Sequence, residues 1–183
     1  MREDPLPYMQ QVSLFEGFAL PELSTLATAF QVRRLKPGQT LCREGEPAPS
    51  FFIVVTGIIS VFKEVSDEVR QRLATIGRNC MLGQVALIDG GRRSATMEAG
   101  SPAILLECGR QEFELLLNAN NPFAYKVLDF TVTDLSKRLR QANRRLEEML
   151  ADPGRTISMI YDAFVEVGKA VHETGEFKAT AFR

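Results

Sequence analysis

Between Val32 and Cys108 the chain is cut repeatedly by turn-forming residues: Pro37-Gly38, Glu44-Gly45-Glu46-Pro47, Gly57, Gly77, Gly90-Gly91 and Gly100-Ser101-Pro102. The pieces between these turns are short and rich in Val, Ile, Phe and Thr, the texture of closely connected strands rather than of helices. The candidate strands are 51–56, 58–64, 69–76, 93–99 and 103–108. Such a run predicts a compact β sandwich or barrel.

On both sides the hydrophobic period is helical. Residues 10–30 place Leu20, Leu23, Leu26, Ala27 and Phe30 on one face, and Pro21 suits a first helical turn. After Cys108 a short helix is expected over 110–118, up to the break at Asn118-Ala119-Asn120-Asn121-Pro122. A long helix follows from Phe123 to Leu150, and Asp152-Pro153-Gly154 stops it. Its apolar positions Leu128, Val132, Leu135, Leu139, Ala142, Leu146 and Met149 alternate spacings of four and three, which makes a heptad seam. A seam of this kind serves either a helix packed on its own domain or a coiled coil. About 28 residues at 1.5 Å each span about 42 Å, more than a small β domain covers, so a parallel homodimer is the expectation. Ile157, Ile160, Tyr161, Phe164, Val165 and Gly168 describe one more amphipathic helix over 155–172. The organisation expected is therefore a β domain with its N-terminal helices over 1–122, a coiled-coil helix over 123–151, and a C-terminal helix and tail over 155–183.

Composition narrows the function. The 183 residues are 45% hydrophobic and include 12 Phe, enough for a sizeable core. Lys and Arg number 22 against 23 Asp and Glu, a net charge of -1, so the chain offers no global attraction to nucleic acid or to an anionic membrane. Any anion site must be local. Cys42, Cys80 and Cys108 are scattered, with neither zinc spacing nor an even disulfide framework, and read as free thiols in a reducing cytoplasm. The N-terminus lacks the apolar core of a signal peptide, and the longest apolar run, Phe51 to Val55, is too short for a bilayer. The single histidine, His172, is expected to be a surface residue. With no nucleophile-elbow pattern and no carboxylate pair in a matching context, catalysis is not expected.

The most informative stretch is Met81-Leu82-Gly83-Gln84-Val85-Ala86-Leu87-Ile88-Asp89-Gly90-Gly91-Arg92-Arg93-Ser94-Ala95-Thr96. It reads as a glycine, one apolar turn of helix, a glycine-containing loop, then arginine, a hydroxyl and a small residue. That construction suits one bound phosphate: helix-start N–H groups after Gly83, a guanidinium, and close approach at Ala95.

The stretch resembles the phosphate-binding cassette of the cyclic nucleotide-binding domain, whose pattern runs Phe-Gly-Glu, an Ala-Leu pair, then Arg, Ser or Thr, and Ala. Leu14-Phe15-Glu16-Gly17-Phe18, Leu35-Lys36-Pro37-Gly38, Glu44-Gly45-Glu46 and Phe51-Phe52-Ile53-Val54-Val55-Thr56-Gly57 resemble the same family's other landmarks. The likeness covers about residues 10–150, including a long helix like that of catabolite-activator and fumarate-nitrate-regulator sensors. It implies an eight-stranded jelly-roll with an N-terminal helix, a long C-terminal dimerisation helix and a further short helix. It also implies a cyclic nucleotide ligand, cAMP ahead of cGMP, with no metal. Carried over by position, Arg93 takes the phosphate with Arg92 as its neighbouring competitor, and Ser94 assists. Gly83, Val85, Ala86 and Ala95 offer backbone or close approach. Asn143 on the long helix, near Arg140, is either the purine partner or a solvated position beside the seam.

The departure is Gln84, where the family has glutamate. A charge-assisted bond contributes about 1.5–3 kcal/mol and a neutral one about 0.5–1.5. The loss of about 1 kcal/mol or more is a fivefold to thirtyfold drop in affinity. The alternatives to a live sensor are a degenerate pocket serving as a constitutive dimerising adaptor, and the sensor piece of a longer transcription regulator. About 30 residues follow Asp152, too few and too evenly charged for a winged helix-turn-helix, so direct DNA binding is not expected. The scattered cysteines do not suit an iron–sulfur variant.

Overall fold

The structure, a computed structural model, describes residues 3–66, 69–154, 157–158, 160–162 and 164–165. Among these, two short helices, α1 (Leu6–Met9) and α2 (Leu20–Ala27), flank a 3-10 turn at Ser13–Phe15. The strands are β1 (Phe30–Leu35), β2 (Thr40–Cys42), β3 (Ser50–Thr56), β4 (Ile59–Ser66), β5 (Val69–Ile76), β6 (Met81–Leu82), β7 (Thr96–Ala99) and β8 (Ala103–Gly109). Helix α3 (Gln84–Asp89) sits between β6 and β7, and α4 (Arg110–Asn118) and α5 (Pro122–Ala151) follow the last strand. Two four-stranded antiparallel sheets result, ordered β1-β8-β3-β6 and β2-β7-β4-β5. This is the eight-stranded jelly-roll with helices that the resemblance implied.

The elements depart from the sequence expectation in three ways. The face drawn through Leu20 and Phe30 is not one helical face: α2 ends at Ala27, Leu20 is exposed, and Phe30 opens β1 opposite Cys108. The aromatic and β-branched residues after Ala29 find a complete ladder on β8, and cross-strand pairing overrides helical spacing. Strand β7 starts at Thr96 rather than residue 93, because the backbone of Arg93 is already paired with the 44–47 turn: its N–H donates to the Glu46 carbonyl and its carbonyl accepts from Gly45 N, both at 2.9 Å. Strands β1, β2 and β6 were not among the candidates. The first carries Arg33 and Arg34, and the other two are very short.

The chain divides into two compact units, residues 1–131 and 132–183, with α5 continuous across the boundary. In the first unit two apolar clusters lie on opposite faces of the β1-β8-β3-β6 sheet. The outer cluster joins Met9, Phe15, Leu26, Phe30, Phe51, Phe113, Phe123 and Val127. Phe123 is its hub: its ring stacks on Phe15 at 5.0 Å and meets Phe30 edge-on at 5.5 Å. Phe30 continues to Phe51 and Phe51 to Phe113, so the rings tie the N-terminal turn, two strands and both C-terminal helices together. The inner cluster, between the sheets, is aliphatic: Leu35, Val54, Ile59, Val61, Leu82, Ala95, Met97 and Leu105 with Phe52.

In α5 the first turns are buried through Phe123, Ala124, Val127 and Thr131, and Leu128 packs against the outer cluster. In the second unit Val132, Leu135, Leu139, Ala142, Leu146 and Met149 are exposed along the same helix. Ile157, Ile160, Tyr161, Phe164 and Val165 are helical and exposed, whereas Gly168, His172 and the tail lie outside the described residues. No described helix is long and apolar enough to cross a membrane.

Candidate functional site

Strand alternation sends Ser50, Phe52 and Val54 of β3 and Ala103, Leu105 and Glu107 of β8 toward the space between the sheets. The segment from Met81 to Thr96 crosses the end of that space. Gly83 precedes α3 with φ +75, and a Cβ there would run into the Arg93 guanidinium, with Cζ 3.3 Å away. Only a glycine lets the α3 turn lie this close to the arginine.

Arg93 is 4% exposed. Its Nη2 donates to Ser50 Oγ at 3.3 Å, and Cζ lies 5.1 Å from the centre of the Phe52 ring. Nε and Nη1 are buried and meet no hydrogen-bond partner among the described residues. Burial pulls this guanidinium below its ordinary value, opposed by Cys42, Glu107 and Glu46. A buried cation with idle donors is costly unless an anion completes it. The groups present therefore fit a phosphate: two donors to spare on one planar cation, in a dry setting.

Other expected residues are placed as follows. Gln84 opens α3 and is buried, Val85 is exposed, and Ala86 follows in the same turn. Arg92 is exposed, and its Nη1 donates to the Gly45 carbonyl at 2.7 Å. The two neighbouring arginines thus face opposite ways, one into the roll and one onto the 44–47 turn. Ser94 is exposed, and its carbonyl accepts from Lys63 Nζ at 3.2 Å. Lys63 also pairs with Glu44, whose carboxylate takes the Glu64 N–H and is held below the usual carboxylate range by these bonds. Ala95 is buried in the inner cluster. Asn143 and Arg140 are exposed on the part of α5 that belongs to the second unit.

Three residues at Arg93 escaped sequence reasoning: Ser50, Phe52 and Glu107. Ser50 Oγ donates to Glu107 Oε1 at 2.7 Å, and the other carboxylate oxygen accepts from Arg33 Nε. The available signal was a carboxylate at an inward position of the apolar strand Ala103–Gly109. The free thiols Cys42 and Cys108 are buried and Cys80 is half-buried. Among the described residues no group of His, Cys, Asp and Glu is arranged to hold a metal.

Residues 32–120 match the family model described as the cyclic nucleotide-binding domain. The chain is 29% identical over 142 residues to a cGMP-dependent protein kinase of Eimeria tenella, covering 78% of this chain and 13% of the kinase. It is 28% identical over 148 residues to the cyclic AMP receptor protein of Thermus thermophilus, covering 80% of this chain and 66% of the receptor. The chain thus spans less than two thirds of the length of either relative. Among solved structures, a cyclic nucleotide-binding-like protein of Brucella abortus is 31% identical with a TM-score of 0.50, covering 63% of this chain and 99% of that one. An eight-stranded roll, a glycine-led cassette with its arginine turned inward, and these likenesses converge: the chain belongs to the cyclic nucleotide-binding domain family, of the catabolite-activator and fumarate-nitrate-regulator type.

Proposed function

We propose that this chain is a non-enzymatic sensor that binds a cyclic purine nucleotide, cAMP ahead of cGMP, and passes its occupancy through the C-terminal helices to a partner. The observation that carries the reading is Arg93, a buried guanidinium whose Nε and Nη1 have no partner among the described residues. Arg93 takes the cyclic phosphate and Gly83 keeps the approach open. Ser94 assists, and Gln84 accepts one bond from the ribose. The receptor relative, similar over most of this chain, supports cAMP as the first choice. A ligand moves the helices only so far as it binds one arrangement better than another.

Isothermal titration with cAMP and cGMP tests this. Micromolar affinity for one of them, lost about a hundredfold in Arg93→Ala, is expected. Indistinguishable titrations of parent and variant defeat the assignment.

The exposed seam of α5 supports a homodimer through Val132, Leu135, Leu139, Ala142, Leu146 and Met149, whereas Leu128, expected in the same seam, packs on its own domain, and a cytoplasmic setting accords with three free thiols. Sedimentation of a Leu135→Asp, Leu139→Asp double variant is expected to give the monomer mass where the parent gives the dimer. The competing reading is a degenerate, constitutive adaptor, favoured by Gln84 at the family's glutamate position. It predicts a ligand-independent dimer with no nucleotide affinity below the millimolar range.

A further inference from the structure

The family's glutamate would leave a carboxylate beside the cassette arginine, and Gln84 cannot supply one. A carboxylate nevertheless reaches Arg93 by another route. Glu107 stands directly opposite Phe52 in the β3–β8 ladder, and the Phe52 ring lies under the Arg93 guanidinium. Between them is Ser50, itself 4% exposed, which accepts from Arg93 Nη2 at 3.3 Å and donates to Glu107 Oε1 at 2.7 Å. The hydroxyl has one hydrogen, which it donates in the bond to Glu107, so its lone pairs are left facing the arginine. On its other side Glu107 pairs with Arg33, a half-exposed residue, and both border a cavity of about 470 Å3 that also includes Arg110 and Gln31.

We infer that Ser50 and Glu107 form the counter-charge relay of Arg93, replacing the cassette carboxylate this chain lacks and setting how strongly the site attracts an anion. Glu107 is a positioning residue that acts through Ser50. The inference rests on the reading of Arg93 as the phosphate group's partner. Its consequence is a division of effects that a merely structural carboxylate does not produce. Without ligand, Glu107 stabilises the buried guanidinium. With ligand, the same negative charge, one hydroxyl away, repels the incoming phosphate. Removing the charge while keeping the shape therefore makes the empty protein less stable and the anion complex tighter.

The test uses the full chain with Glu107→Gln, whose amide oxygen still accepts from Ser50, and Ser50→Ala as a second break in the relay. In thermal unfolding without ligand, Glu107→Gln is expected to lower Tm by about 4 °C or more in the parent, and by about 1 °C or less in an Arg93→Met background. Ser50→Ala is expected to show the same dependence on Arg93. In titrations with cAMP and with inorganic phosphate, Glu107→Gln is expected to bind about threefold to tenfold more tightly. Equal Tm losses in both backgrounds overturn the relay, as does weaker binding by Glu107→Gln. If the parent binds neither nucleotide nor phosphate, the ligand reading fails, and the Tm cycle still decides whether Glu107 serves Arg93.

Discussion

The two clusters on either face of the β1-β8-β3-β6 sheet are built on different rules. The outer one is a chain of aromatic rings with Phe123 at its centre, and the buried titratable group among its residues is the Cys108 thiol. The inner one is made of smaller aliphatic side chains and ends at a buried arginine, a buried serine and a carboxylate. The strands between them serve both, alternate residues facing alternate ways. One face of a single sheet fastens the helices to the roll, and the other keeps an electrostatically incomplete site. Stability and recognition are thus separable by residue parity along β3 and β8.

The largest expected effect breaks the outer face. Phe123→Ala should cost about 3–5 kcal/mol, read from the denaturant midpoint, while the affinity of the folded fraction for nucleotide stays within about twofold. A large affinity change would show that the two faces are not separable. The next prediction acts on the inner face. Gly83→Ala forces a Cβ into the Arg93 guanidinium at a left-handed backbone position, and should weaken nucleotide binding about tenfold or more with a stability loss of about 1–3 kcal/mol. The smallest concerns pH. Burial pushes the Cys108 thiol up to about 12 from an ordinary 9.0. The folded chain then holds its proton where the unfolded chain releases it, so this contribution is complete below about pH 9 and lost as pH rises toward 12, at about 1.4 kcal/mol per unit. Cys108→Ala should flatten the alkaline limb of the stability profile.

Much of this architecture was legible in the chain, and the failures have physical causes. The strands at 50–56, 59–66 and 103–109 show because they are short β-branched or aromatic runs closed by turns, and α4 and α5 show because their periods are undisturbed. β1 did not, since Arg33 and Arg34 interrupt its apolar character and its ladder partner lies far away at 103–108. Arg93 was identifiable because the cassette is one continuous stretch. Its partners were not: Ser50 is 43 positions from Arg93 and 57 from Glu107, and strand pairing makes them neighbours. Local sequence carries local chemistry, whereas a counter-charge can be drawn from any strand that the register brings past.

The clasp between Arg93 and the 44–47 turn is made of main-chain groups, Arg93 N on Glu46 O and Gly45 N on Arg93 O. Peptide groups are the same in nearly every residue, so the backbone position of this arginine does not depend on which side chains surround it. Side chains nearby are therefore replaceable without moving the Arg93 backbone, Gly83 excepted, where a Cβ would meet the guanidinium. In evolutionary terms the backbone holds the address and the side chains carry the message, and a lineage can rewrite the second while the first stays in place.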